Sequence, residues 1–208
     1  MTIKERMLLE SKAWVAEKLS LDKDYFEHLK KMPTANILWI GSSDNLISIR
    51  EVTNTEPGEI IVHRNIASQV KADDMSLMAT LEHAVEVAKV RYIIVCGYSN
   101  CNGINEVVQG VEERTYMRKW LDELFDLYNS HADELDPLPQ VEKEKRLCEL
   151  SIKAQILKLS TLDIIQKAWE NGSGPVLLGW YLDETSGIIK EIFSMTSEQE
   201  LKQVARVI

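Results

Sequence analysis

The sequence has no run rich in lysine and arginine, no long apolar segment and few cysteines. Acidic residues outnumber basic ones by 33 to 24, which gives a formal net charge of −9. A chain of this charge without a basic cluster does not neutralise a phosphate backbone, so we expect no nucleic-acid partner. The longest mostly apolar stretch, residues 175–182, is far too short to cross a bilayer, so we expect no membrane partner.

The opening residues 1–12, MTIKERMLLESK, contain no apolar stretch of the length that a signal peptide needs. We therefore expect a cytoplasmic protein. The three cysteines are an odd number, which disfavours a disulfide framework. Cys96 and Cys148 fall in apolar patterns and are predicted to be buried. Cys101 lies in a turn that leads into a helix, where a lowered thiol pKa is expected.

Apolar strands alternate with helical patterns along 208 residues, a length that suits one α/β domain. The prediction is a mostly parallel sheet flanked by helices, with about four parallel strands and one antiparallel edge strand after a hairpin at residues 183–187. Residues 1–208 are interpreted as a single domain that begins with an N-terminal helical arm, residues 1–32. The predicted strands are 36–41, 59–63, 92–96, 175–182 and 188–193. The predicted helices are two within 2–32, then 73–90, one from 101, 112–130, 141–169 and 196–207.

Two short segments carry the clearest functional signal. Residues 38–50 read LWIGSSDNLISIR and residues 95–103 read VCGYSNCNG, each an apolar strand that runs into a turn rich in Gly, Ser and Asn. Such turns present polar groups at the carboxyl ends of neighbouring parallel strands. With EPGE at 56–59, VHRN-x-A at 62–67, LCEL at 147–150 and the GW before Tyr181, the chain resembles the bacterial β-class carbonic anhydrases over roughly residues 30–195.

This resemblance implies a parallel-centred sheet with flanking helices, the β-carbonic anhydrase fold. It also implies a tight homodimer, in which N-terminal helices embrace the partner, or a dimer of dimers. Family members hydrate CO2 with a zinc ion that is held by two cysteines and a histidine. An Asp-x-Arg pair accompanies those ligands, and its arginine keeps the aspartate away from the metal.

The matching positions in this sequence depart from that pattern. The family's first cysteine aligns with Ser42 and its histidine aligns with Tyr98, while Cys101 is retained. Asp44 is present, but Leu46 replaces the arginine of the pair. A neutral hydroxyl and a phenol with a pKa near ~10 are poor zinc ligands at pH 7. We therefore predict that zinc is absent, and that Asp44 without a cationic partner becomes less acidic where it is buried.

Four retained residues suggest an anion pocket. In a regulated bacterial subgroup, positions that match Trp39, Arg64 and Tyr181 line a bicarbonate pocket, and Gly41 is also present here. A guanidinium offers paired donors to a planar carboxylate-like anion. The structural alternative is that Arg64 bridges a dimer and that the two aromatic residues belong to the core. The expected partner is a small anion such as bicarbonate.

The primary interpretation is a β-carbonic anhydrase homologue that is inactive or very weak in CO2 hydration and that binds a small anion or a partner without metal. One alternative is an active carbonate dehydratase with a rebuilt zinc site made by Asp44, Cys101 and either His63 or His83.

A second alternative is a different enzyme on the same scaffold, which acts on a small carboxylate. Ser42, Tyr98 or Cys101 would carry that reaction, and a nucleophilic Cys101 would need a base such as His63. Because one fold hosts many chemistries, the fold does not decide between these alternatives.

Overall fold

The computed structural model describes residues 1–31, 35–110 and 115–196. The chain forms two compact units, Met1–Thr34 and Ala35–Ile208. In the part of the chain that the structure describes, no helix is both long and apolar enough to span a membrane.

The first unit consists of two helices, α1 (Ile3–Leu21) and α2 (Tyr25–Lys30), as predicted. Thr2 and Glu5 form a reciprocal capping box that satisfies free N–H groups at the start of α1. The ring of Trp14 packs edge-on against Tyr25, with ring centroids 6.1 Å apart. This aromatic contact holds the two helices of the unit together.

The second unit is built on a five-stranded sheet with the order β2-β1-β3-β4-β5. The first four strands are parallel, and β5 pairs antiparallel with β4. The predicted sheet with its antiparallel edge is therefore confirmed. The strands are β1 (Ile37–Ser42), β2 (Ile60–Asn65), β3 (Tyr92–Tyr98), β4 (Val176–Asp183) and β5 (Ile188–Met195).

Helices follow most of the strands in the second unit. Asp74 caps the start of α4 by accepting hydrogen bonds from the N–H groups of Ser76 and Leu77. The helices are α3 (Ile49–Thr53), α4 (Met75–Glu82, which continues as the π-helical turn His83–Ala88), α5 (Asn102–Gln109), α6 (Thr115–Trp120), α7 (Asp122–Ser130), α8 (Ala132–Leu135), α9 (Gln140–Thr161) and α10 (Asp163–Glu170). A 3-10 turn, Ile66–Ser68, follows β2.

Two predicted helices are each divided in the structure. The helix predicted over 141–169 ends at Thr161, because Leu162 has an extended backbone, and α10 starts after it. Similarly, Leu121 separates α6 from α7 within the predicted helix 112–130, whose first residues lie outside the described part. The apolar pattern continues across the Leu162 break because residues on both sides pack into one core cluster. The helix predicted over 196–207 lies outside the described residues beyond Thr196.

The core lies on both faces of the sheet. On one face, Leu38, Ile40 and Val95 cluster with residues of α4 and α9. On the other face, Trp39 and Ile94 belong to a second cluster. Since side chains alternate between the faces of a strand, coverage of both faces explains why these strands are almost continuously apolar.

Candidate functional site

The ends of β1 and β3 bring the four predicted site residues together. Ser42 is the last residue of β1 and Tyr98 the last of β3, and these strands are adjacent and parallel. Asp44 lies in the turn after β1, and Cys101 is the N-cap residue of α5. Ser42, Tyr98 and Cys101 are each exposed by 3% or less. The sequence therefore predicted correctly that these groups meet at one edge of the sheet.

Hydrogen bonds fix the carboxylate of Asp44 at the centre of this site. The Ser42 hydroxyl donates to Oδ1 of Asp44, and the Asn102 N–H donates to Oδ2 at 3.0 Å. Ser42 Oγ in turn accepts the N–H of Ala67 at 3.0 Å. Both carboxylate oxygens are therefore engaged within the protein, and Asp44 satisfies an N–H at the start of α5.

These contacts replace the missing arginine of the Asp-x-Arg pair. Burial raises the pKa of Asp44, but the nearby hydroxyls of Ser42 and Tyr98 and the Asn102 N–H together bring that pKa below its usual value. The prediction of a less acidic Asp44 was therefore wrong, because hydrogen-bond donors stabilise the charged form without a cation. Leu46 is 91% exposed and takes no part in the site.

The other two groups are held in their protonated forms. Burial, and to a lesser extent the Asp44 carboxylate, raises the pKa of Tyr98 well above its usual value. Burial also raises the pKa of Cys101 to about 11, although the N–H of Ile104 acts against this effect. The predicted lowering of the Cys101 pKa was wrong, because desolvation outweighs the helix N-terminus. A protonated thiol is a weak nucleophile.

These donors differ from the thiolate and imidazole ligands that zinc prefers. A catalytic zinc site needs about three protein ligands and one open position. Within residues 1–31, 35–110 and 115–196, no three His, Cys, Asp or Glu side chains are arranged to hold a metal. Of the four site residues, Cys101 would be the only soft ligand, and Ser42 and Tyr98 offer neutral hydroxyls. The two histidines considered as replacements lie elsewhere: His63 faces Asp74, with Nε2 3.7 Å from Oδ2, and His83 is exposed in the π-helical turn.

His63 makes stability dependent on pH in the acidic range. Burial lowers the pKa of His63 below its usual 6.5, and the Asp74 carboxylate opposes this only in part. The pKa of His63 is therefore lower in the folded chain than in the unfolded chain. The stability that depends on a neutral His63 is complete above pH 6.5 and is lost as the pH falls through the folded-state pKa. When the pH is lowered from about 7.5 to 5, we expect the free energy of unfolding of His63→Gln to fall by less than that of the unaltered chain. Urea unfolding at each pH measures this difference, and His83→Gln, at an exposed position, should behave like the unaltered chain.

Three of the residues predicted for an anion pocket share one face of the sheet. Trp39 packs edge-on against Trp180, with ring centroids 5.8 Å apart. Gly41 pairs with Arg64 in the β1–β2 register, and a Cβ on Gly41 would lie 2.8 Å from Nε1 of Trp39. Arg64 is exposed and donates from Nη1 to the Asn45 carbonyl at 3.4 Å. Among the described residues it forms no ion pair, so its guanidinium retains free donors.

Tyr181 is separated from these three residues. It pairs with Gly97 in β3, whereas its neighbour Trp180 shares a face with Trp39. Because successive side chains of a strand alternate, Tyr181 lies on the opposite face, and the buried Leu182 occupies the Trp39 face instead.

A buried polar network that the sequence analysis missed supports the site. Gln69 Nε2 donates to the Ala67 carbonyl at 2.8 Å, and Oε1 of Gln155 accepts the Val70 N–H at 2.8 Å. These bonds hold a turn in which Ala67 and Ser68 both have left-handed backbones, with φ of 61° and 52°. The same turn directs the Ala67 N–H at Ser42. The sequence feature that could have revealed this network is Gln155, a polar residue within the apolar stripe of α9.

A cavity of about 240 Å³ adjoins Tyr98 and Cys101, and the sequence analysis also missed it. It lies between the β3–α5 turn, α9 and β5, so its wall residues are far apart in the sequence. Tyr181 lines this cavity, whereas Trp39 and Arg64 do not.

Comparison with known proteins gives consistent matches. The sequence model of the carbonic anhydrase family matches residues 37–189. A carbonic anhydrase of Emericella nidulans is 30% identical over 189 residues, which cover 90% of this chain and 82% of that protein. A structure from the work on two tetrameric β-carbonic anhydrases of Sordaria macrospora has a TM-score of 0.85 at 30% identity, over 92% of this chain and 98% of that one. The β-carbonic anhydrase CafA of Aspergillus fumigatus has a TM-score of 0.87 at 27% identity, over 97% of this chain and 96% of that one.

Proposed function

This chain belongs to the carbonic anhydrase family, in its β class, and from that premise we propose that it works without zinc and binds a small oxyanion such as bicarbonate. In this proposal it does not hydrate CO2. Its role is to bind or sense the anion, or to assemble with a partner.

The state of Asp44 carries the first half of this proposal. Its two oxygens accept hydrogen bonds from Ser42 and Asn102. Besides Asp44, a metal here would find one soft ligand, the thiol of Cys101, and two neutral hydroxyls, those of Ser42 and Tyr98, which is short of the three good ligands that a catalytic zinc needs. Without a metal, no bound water is acidified toward a pKa of ~7, which is how zinc generates a nucleophile for CO2 at neutral pH.

Arg64 supports the second half. Its exposed guanidinium contacts one backbone carbonyl and, among the described residues, no carboxylate. Two parallel N–H donors match the planar shape of bicarbonate. Gly41 stands beside Arg64 in the sheet register and leaves room next to the Trp39 indole N–H.

We also propose that the chain forms a homodimer or a dimer of dimers. The tetrameric relatives from Sordaria macrospora support this assembly. Helix α1 supports it independently, because several of its large apolar side chains are exposed. They are Ile3, Met7, Leu8, Leu9, Trp14, Leu19 and Leu21.

Bicarbonate binding tests the proposed function directly. We expect the chain purified without added metal to contain far less than one zinc per chain, to hydrate CO2 at the uncatalysed rate, and to bind ¹³C-bicarbonate in a line-broadening titration. Arg64→Gln should weaken that binding at least about 10-fold, because it removes a charge-assisted hydrogen-bond donor. The matched control is Arg50→Gln, since Arg50 is also exposed and also donates to one backbone carbonyl, that of Thr55.

The rival function is carbonate dehydration with a rebuilt zinc site. The similarity of this chain to the carbonic anhydrase of Emericella nidulans supports that rival. Stoichiometric zinc, with hydration that is lost on chelation, would establish this rival and overturn the proposal. Equal bicarbonate binding by the unaltered chain and Arg64→Gln would remove Arg64 from the anion site.

A further inference from the structure

The cavity beside Tyr98 has the features of a ligand site that is separate from the Arg64 face. Its volume of about 240 Å³ is more than ten times the ~10–15 Å³ that one water molecule needs, so it has room for a small organic molecule. Tyr98 and Tyr181 are 3% and 6% exposed, and they form the inner wall with Ile104. The side chains of Lys145 and Lys190 are exposed and stand at its mouth.

Two positive charges stand at the mouth and can bind an anionic group. In the described part of the chain, neither Lys145 nor Lys190 forms an ion pair. Two acidic residues, Glu144 and Asp183, also line the cavity. Glu144 accepts a hydrogen bond from the Gln140 amide at 2.9 Å, and Asp183 accepts one from the Thr185 N–H at 2.9 Å, and these neutral donors do not cancel the carboxylate charges. The two ammonium groups are the cationic groups of the lining and can bind a carboxylate.

One polar group of the lining has unused hydrogen-bonding capacity. Among the described residues, Oδ1 of Asn105 is buried without a hydrogen bond. An unpaired polar group in a buried place is unfavourable, so a ligand hydroxyl that donates to this oxygen is favoured over a methylene.

We propose that this cavity binds a short hydroxycarboxylate, with carboxylate groups at Lys145 and Lys190 and a hydroxyl group among the polar side chains inside. Two cationic groups favour a dicarboxylate over a monocarboxylate. The site does not use Arg64, so it is independent of the proposed bicarbonate site.

Calorimetric titration of the full chain with malate, succinate and alanine tests this proposal. We expect malate to bind with a Kd of about 1 mM or lower, succinate, which lacks the hydroxyl, to bind several-fold more weakly, and alanine to bind at least about 10-fold more weakly. The double variant Lys145→Gln/Lys190→Gln should raise the malate Kd at least about 10-fold. Both lysines are exposed, so the variant is expected to fold.

The matched control is Lys143→Gln/Lys153→Gln, which removes two charges from α9 outside the cavity and should leave the malate Kd unchanged. Arg64→Gln should also leave it unchanged. Three results would overturn the proposal: no malate binding at about 10 mM, an equal Kd in the Lys145/Lys190 variant, or a loss of malate binding in Arg64→Gln. Because bicarbonate binding is measured separately, failure here leaves the proposed function standing.

Discussion

The triple variant Ser42→Cys/Leu46→Arg/Tyr98→His is expected to bind about one zinc ion per chain and to hydrate CO2, and the unaltered chain is expected to do neither. The physical reason is the donor set. The ends of β1 and β3 already hold positions 42 and 98 next to Cys101. The variant replaces a hydroxyl and a protonated phenol there with a thiol and an imidazole, which are the ligands that zinc prefers.

The same change releases Asp44. Loss of the Ser42 hydroxyl removes the hydrogen bond to Oδ1 of Asp44, and an arginine at position 46 supplies the cationic partner that the β-class pattern has. We expect hydration at least ~100-fold above the uncatalysed rate, since a metal-bound hydroxide becomes available near pH 7. Elemental analysis and stopped-flow measurement of CO2 hydration give the two readouts.

A control variant separates zinc binding from general changes in the cleft. Adding Cys101→Ser to the triple variant leaves two of the three ligands, so we expect that chain to be folded, free of zinc and inactive. If the triple variant itself folds but stays free of metal, then the cleft differs from a zinc site in shape as well as in its ligands. That result would contradict the interpretation that three side chains account for the loss.

Gly97→Ala is expected to lower the free energy of unfolding by about 1–3 kcal/mol. Gly97 lies in β3 where α9 packs closely on the sheet. A Cβ added there would lie 2.5 Å from Sγ of Cys148 and 2.9 Å from Cδ1 of Ile152. Real Cβ atoms do not approach this closely, so β3 or α9 must move and the packing of a dense interior must change. Urea unfolding of the variant and the unaltered chain measures the loss.

Removal of the obstructing sulfur tests the cause of that loss. Cys148→Ala takes away Sγ, so Gly97→Ala should cost less in that background, with a coupling free energy of about 0.5–3 kcal/mol between the two changes. A matched substitution is Gly110→Ala, where a Cβ would meet nothing within 4 Å and only the backbone, with a φ of 68°, opposes the change. Cys148→Ala should not alter the cost of Gly110→Ala. Additive effects of Gly97→Ala and Cys148→Ala would show that the sulfur is not the obstacle.

Local pattern was enough to predict the sheet and the group of site residues. Apolar strands followed by polar turns indicated that Ser42, Asp44, Tyr98 and Cys101 meet, because parallel strands end at one edge. The break at Leu162 was not predictable in the same way. The apolar periodicity runs through it, since residues on both sides pack into the same core.

The pKa values at the site depended on contacts that no sequence pattern shows. The sequence suggested a less acidic Asp44 and a more acidic Cys101, and both shifts have the opposite direction. For Asp44, hydrogen-bond donors from three separate segments outweigh its burial. For Cys101, burial outweighs the N–H groups of its own helix. Which of two opposing effects is larger depends on distances and solvent access, and these exist only in the folded chain.

The sequence by itself determined that this is a β-class carbonic anhydrase chain whose metal-ligand positions hold an alcohol, a phenol and one thiol, because residue type fixes the donor atoms. Only the tertiary structure decided that both oxygens of Asp44 are occupied, that Tyr181 faces away from Trp39, and that Lys145 and Lys190 share a cavity. Each of these facts depends on the register and packing of segments that are distant in sequence, where a shift of one residue moves a side chain to the other face of the sheet.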